Sequence, residues 1–400
     1  SQTKMISNVQ RMLANYEYEL SRFNVAHQGL DRKSRQAVID DFIDNDPTKI
    51  SWTVNLKTEL EKGEILDFDL LSVTQSMYRP FSKPWVYYST KLNERVYQMP
   101  RIFPNAEADN LVIMVKQGGN TDSRVSQIAL VMSQVPELQT DGGAQCFPLY
   151  LYEEASEPKE ADLFSDATTE TGLVRRDAIT DEGLAHFQEA YPNQTISKED
   201  LFYYVYGILH SEDYRSRFAN NLSKELPRIP RVKTFEDFTA FSQAGRQLAE
   251  LHLNYETVDK YPVTFTGKLQ HNCTDFGGAT DADFYVTKMK HPKKKDEETG
   301  KSVNDLSKII YNTKITLSDI PLEAYDYVVN GKSAIAWVME RQGVSTHKAS
   351  GIVNDANDWA IETMNNPRYP LELLQRVITV SLETMKIVRG LPELDIWFDL

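Results

Sequence analysis

The stretch from Leu201 to Pro230, LFYYVYGILHSEDYRSRFANNLSKELPRIP, limits most firmly what this chain can fold into. Just before it, Ser197 is followed three residues on by Asp200, an N-cap close to a capping box. Leu201, Val205, Ile208 and Leu209 then recur at helical spacing, and Tyr203, Tyr204 and Tyr206 widen the apolar surface. His210 to Asp213 interrupts the pattern. Tyr214, Phe218 and Leu222 restart it at four-residue steps. Pro227 and Pro230 forbid further helix and force extended backbone. The spacing predicts a core helix pair with a stiff, extended exit.

The rest of the chain alternates between helical and strand-like patterns. Ser1 to Asp46 carries two helical stripes, Val9, Met12, Leu13, Tyr16, Leu20 and then Val38, Ile39, Phe42, Ile43, ended by Asp46-Pro47. Trp52 to Val54 reads as strand and Leu56 to Gly63 as a short helix. Tyr78 to Phe81 and Trp85 to Tyr88 read as aromatic strands around a Ser82-Lys83-Pro84 turn. Leu111 to Lys116 is a continuous apolar run, hence a buried strand, and Ile128 to Met132 and Phe147 to Tyr152 follow as strands. Glu153 to Glu170 holds seven acids and one lysine, a solvated or disordered loop taken as a boundary. Beyond it, helices are expected over Glu182 to Tyr191, Thr234 to Leu251, Ile320 to Val329, Ser333 to Gln342 and Pro370 to Arg389. Strands are expected over Tyr285 to Met289 and Ile309 to Ile315, with a hairpin tip over Lys295 to Lys301. Four hundred residues exceed one typical core. The expectation is an α+β fold: a helical segment 1–50, a β-rich subdomain 51–155 and a helix-rich α+β subdomain 156–400.

Several function classes are excluded by what is missing. No apolar run approaches the ~20 residues of a membrane helix, and the first ten residues hold no signal-peptide core. Cys146 and Cys273 are too few for a disulfide framework or zinc site, which points to a reducing, cytoplasmic setting. The adenine-methyltransferase signature Asn/Asp-Pro-Pro-aromatic, a glycine-rich nucleotide loop, GxxxxGK[ST] and a helicase acidic box are all absent from the sequence. Seven histidines are scattered without metal-ligand spacing. His210 and His252 are expected to be structural. Asn354, Asp355, Asn357 and Asp358 read as an Asx-rich turn ahead of a cation site.

A net charge of −14 argues against a nucleic-acid partner unless cations gather on one face. Two basic segments meet that condition. Val286 to Lys295 has five lysines, Lys288, Lys290, Lys293, Lys294 and Lys295, and no acid. Such a cluster neutralises phosphates without reading sequence; it equally serves as a solvated guard on an edge strand. Lys224 to Lys233 presents Arg228, Arg231 and Lys233 on proline-stiffened backbone, where arginine can read guanine. The competing reading has Arg228 tie the loop to a helix end. Arg79, Lys83 and Arg95 are further backbone-contact candidates, and the polar loop Gln117 to Arg124 offers Asn and Gln to adenine edges, with Arg124 beside them.

The wording YVYGILHS-x-x-YR-x-x-F followed by L-x-x-LPRIP resembles the C-terminal specificity region of type ISP restriction–modification enzymes. The resemblance continues through Tyr78-Arg79-Pro80-Phe81 with Trp85 to Tyr88, Phe147 to Tyr150, Ala244-Gly245-Arg246 and Leu251 to Glu256. It ends with Ile309 to Asn312, Asn330 to Ile335 and Ser350-Gly351-Ile352. It implies a target-recognition-domain-like fold, 51–155 being a recognition subdomain and 156–400 a specificity subdomain. It implies sequence-specific recognition of double-stranded DNA within a single long polypeptide that also carries nuclease, helicase-like ATPase and adenine methyltransferase parts. The methyltransferase part would lie just upstream, and this chain would be a fragment that is not an enzyme by itself. It would hold no cofactor; S-adenosylmethionine, ATP and Mg would serve the intact enzyme. The alternative is a structural module that couples the methyltransferase and motor domains through protein contacts.

Overall fold

The computed structural model describes residues 1–116, 126, 128–137, 144–154, 173–267, 276 and 278–397. These residues form an α+β molecule of helices and small two- and three-stranded sheets.

Its centre is the helix Lys198–His210. The Ser197 hydroxyl accepts from Asp200 N, and the Asp200 carboxylate accepts from Ser197 N, completing a reciprocal cap. Leu201, Phe202, Tyr204, Tyr206, Ile208 and Leu209 are all buried. The closest partner is not the segment that restarts at Tyr214, which makes only the short helices Glu212–Arg217 and Ala219–Leu222. It is the helix Phe235–Leu253, capped by Thr234 through Asp237 N. The two backbones touch where Gly207 faces the Phe241 carbonyl and Gly245 faces the Tyr203 carbonyl. A third helix, Tyr369–Arg389, packs on Phe235–Leu253 and on the short helix Ala334–Arg341, with Leu371, Leu374, Val377 and Ile378 buried.

Against the pair lies an antiparallel sheet with Val112–Lys116 between Ala129–Met132 and Ala144–Pro148. Side chains alternate across a strand, and here the alternation divides two cores. Ile113, Val115, Ala129 and Val131 face the helices. Val112, Met114, Leu130 and Met132 join Met77, Met99, Ile102 and Phe103 on the other side. A third cluster is built by the helices Gln2–Ala26, Arg32–Phe42 and Val54–Lys62 around Tyr16, Phe23, Ile39 and Leu60. The largest cluster draws residues from Phe81 through to Ile396.

Several local expectations are corrected. Thr53 caps the helix Val54–Lys62, so Trp52 to Val54 is no strand. The aromatic hairpin is displaced: Val73–Met77 pairs with Trp85–Tyr87, and Tyr78 to Pro84 makes the connection, with Phe81 at φ 60. Phe147 to Tyr152 divides at Leu149 between two sheets, the second pairing Tyr150–Glu154 with Leu173–Asp177. Ile320 to Val329 is a single 3-10 turn, Leu322–Tyr325, and then a hairpin of Val328–Val329 with Lys332–Ser333. Asn330 and Gly331 close that hairpin at positive φ, which an Asn-Gly pair adopts readily. Tyr285 to Met289 joins no ladder, and Ile309–Ile310 turns back into Thr316–Ser318. The acid-rich stretch lies outside the described residues from 155 on.

Candidate nucleic-acid interface

The lysine-bearing segment is held by its backbone and two buried side chains. Val286 and Met289 are buried, whereas Lys288 and Lys290 are exposed. Asn357, at the start of the helix Ala356–Glu362, satisfies both main-chain groups of Val286. Its Oδ1 accepts from Val286 N at 3.0 Å and its Nδ2 donates to Val286 O at 2.9 Å. The next carbonyl, that of Thr287, accepts from Val344 N at 2.9 Å and lies so close to Gly343 that a Cβ there would collide with it. Lys290 exchanges both backbone hydrogen bonds with Ile310.

Lys293–Lys295 is a strand, paired antiparallel with Ser302–Asn304, so that Lys295 to Lys301 makes the expected hairpin tip. Alternation places Lys293 and Lys295 on one face. Lys294 takes the other, where Asp305 stands 3.6 Å away. In the turn, the Asp296 carboxylate accepts from Thr299 N and its hydroxyl, which lowers the Asp296 pKa.

A second hairpin rises beside this segment, Val344–Thr346 paired with Val353–Asp355. It is absent from the expected elements; Gly351, which the structure holds at φ 68, was the one turn signal in its sequence. Ser345 to Ala349 and Gly351 to Asn354 are exposed. At its base the Asp355 carboxylate takes the Tyr285 hydroxyl at 2.9 Å and Asn357 N at 2.8 Å.

The remaining candidate cations are placed as follows. The exit from the central helix is stitched down by tyrosines. Tyr204 donates to Pro230 O, Tyr214 to Arg228 O and Tyr191 to Val232 O. On it, Arg228 is 86% exposed and pairs only loosely with Glu225 at 3.2 Å. Arg231 donates to the His186 carbonyl and Lys233 pairs with Asp395 at 2.7 Å. Arg79 pairs with Glu137 and lies over the Tyr78 ring. Lys83, with a side chain only 10% exposed, meets Glu256 at 3.0 Å above the Tyr255 ring. Arg95 is exposed. Arg124 and the loop Gln117 to Arg124 lie outside the described residues. An open groove beside Tyr150 holds Arg175, Arg176 and Lys198, but Lys198 is claimed by Asp181 at 2.6 Å and Arg176 by Glu153 at 2.6 Å.

His210 and His252 are buried in the main core. The Tyr206 hydroxyl meets His252 Nδ1 at 2.6 Å, Thr384 Oγ1 lies 2.9 Å from His252 Nε2, and His210 Nδ1 donates to the Tyr206 carbonyl. Burial lowers both pKa values, that of His210 to about 4. Among the described residues no group of His, Cys, Asp or Glu could hold a metal ion, and no helix is long and apolar enough to cross a membrane.

A family model described as the type ISP C-terminal specificity domain matches residues 1–373. No curated protein matches. Among solved structures, a nuclease-deletion mutant of the type ISP restriction–modification enzyme LlaGI, in complex with a DNA substrate mimic, is similar. Its identity is 33% and its TM-score 0.77, over 100% of this chain and 32% of that one. The ATP-dependent type ISP enzyme LlaBIII bound to DNA gives 31% identity and a TM-score of 0.73 over 96% of this chain and 22% of that one. A DrdV–DNA complex gives 27% and 0.72 over 98% and 34%. The chain thus spans about a third or less of these proteins.

Proposed function

The chain belongs to the type ISP C-terminal specificity domain family, and on that premise we propose that it recognises a short site in double-stranded DNA. The carrying observation is the acid-free run from Tyr285 to Lys295, whose five lysines are all exposed in a chain of net charge −14. Lys288, Lys290, Lys293 and Lys295 contact phosphates and set the register. Arg228 is a further backbone contact from the stiff exit. Arg79 and Lys83, each already paired with a carboxylate and a ring, act mainly by holding their loop.

The three DNA-bound neighbours support this reading. On it, the chain serves as the recognition part of a longer cytoplasmic polypeptide whose methyltransferase, motor and nuclease parts lie elsewhere. S-adenosylmethionine, ATP and Mg act there, since this sequence carries no phosphate loop or methyltransferase signature. Residues 51–155 and 156–400 then divide the recognition work.

The test is selection from a randomised duplex pool by the 400-residue chain, repeated with K293E/K294E/K295E. A recovered motif, and weak capture by a variant of unchanged thermal stability, is the expected result. Failure of the wild-type chain to retain any duplex at low salt would contradict the reading. A second reading, protein-mediated coupling to neighbouring domains, draws on Leu70 and Leu71, which are 63% and 80% exposed. It predicts that charge reversal changes nothing.

A further inference from the structure

We infer that the hairpin Val344–Asp355 is a base-reading ribbon, seated in the major groove beside the lysine segment, with Ser345 and Asn354 as its specificity residues. This rests on the proposed DNA recognition and names the element that would deliver it.

Three observations converge. First, Gln342 to Asn354 holds Lys348 and no acid. Tyr285 to Lys295, which holds five lysines and no acid, is remote in sequence yet is its direct neighbour; stretches without acids recur along the chain, and it is the lysines that set this pair apart. Val344 N donates to Thr287 O, and Gly343 allows the close approach. Charge complementarity to a polyanion is thus assembled from two distant segments. The acid at the ribbon's base, Asp355, is occupied by Tyr285 and Asn357.

Second, the ribbon projects. Both strands are exposed from Ser345 to Asn354, including Ile352 and Val353, at 36% and 47% exposure. A two-stranded hairpin with neither face covered is marginal by itself. Among the described residues this one is clamped at its base, by the Thr287 and Gly343 contacts, by Ala356 N donating to Gly343 O and by the Tyr285–Asp355 bond. Its tip is shaped by Gly351 N donating to His347 O and by His347 Nδ1 against Ser350 Oγ at 2.8 Å.

Third, the register sorts its chemistry. Ser345 stands opposite Asn354 and Thr346 opposite Val353. One face therefore carries Ser345, His347 and Asn354, the other Thr346 and Val353. The major groove, ~12 Å wide, admits a two-stranded ribbon; asparagine pairs with adenine N6 and N7, and methyl groups meet thymine. Lys288 and Lys290, next to the base, would grip the flanking phosphates.

The experiment is the same randomised-duplex selection, run with wild type, Asn354→Ala and Ser345→Ala. Thermal unfolding serves as the folding control, since both side chains are exposed. The expected result is a wild-type motif that becomes degenerate at one or two base pairs in each variant. Discrimination there should fall about 10- to 100-fold, with affinity for random duplex unchanged. Variants that recover the wild-type motif with the same selectivity would overturn the ribbon and leave the proposed function standing. A wild-type chain that binds duplex without any preference would overturn both.

Discussion

At the scale of single residues, Gly207 and Gly245 carry the helix crossing. A Cβ at either would enter the partner's carbonyl, Phe241 O or Tyr203 O, and backbone cannot swing aside as a side chain can. Gly245→Ala is expected to destabilise the chain by about 3 kcal/mol or to block folding, as overpacking against rigid neighbours does; chemical denaturation measures it. Tyr206 is the second such residue. Its hydroxyl accepts from Val131 N of the sheet and meets His252, so Tyr206→Phe strands two buried groups and should cost about 1–3 kcal/mol. His210 gives a pH signature. Burial first, and then the nearby Arg215 charge, depress its pKa to about 4. The unfolded chain titrates near 6.5, so between these values the unfolded state binds more protons, and stability falls as pH drops. The loss from His210 alone is about 2 kcal/mol at pH 5. Melting temperature should be flat above pH 7 and decline below about 6.5, with a shallower decline in His210→Gln.

At the scale of elements, the legible parts were those set by local chemistry. Ser197 with Asp200 and Thr234 with Asp237 mark helix starts that the structure keeps. Ser197→Ala should therefore cost about 1 kcal/mol, read by thermal or urea unfolding. The continuous run Val112–Lys116 is buried as its composition requires. What failed was partner choice. Nothing within YVYGILHS says that Gly207 meets Gly245 some forty residues on, because that contact is set by tertiary packing. Short strands failed for a related reason. The Ile320 to Val329 pattern was read as helical, and the Asn330-Gly331 pair after it was given no turn of its own. The turn chemistry of the pair, with both residues at positive φ, favours a hairpin instead. The lysines were visible as a cluster. That Val344–Asp355 stands next to them was not, since the links are a backbone hydrogen bond, a glycine contact and the Tyr285–Asp355 side-chain bond, all between residues remote in sequence.

At the scale of the whole molecule, the proposed function asks how a body of net charge −14 would hold a polyanion. Many candidate cations are balanced locally: Arg79 by Glu137, Lys83 by Glu256, Lys233 by Asp395, Lys198 by Asp181. The run that carries Lys288, Lys290 and Lys293 differs: it holds no acid, and these lysines are exposed. On the proposed function, the acidic remainder would repel DNA elsewhere and so orient the encounter on this face. The direct measurement is the salt dependence of duplex binding by the wild-type chain and by K288Q/K290Q/K293Q. The account predicts a steep wild-type fall of log affinity with log salt, and a slope shallower by about 3 in the triple variant, close to one per lost phosphate contact. An unchanged slope, with wild-type affinity retained, would contradict it.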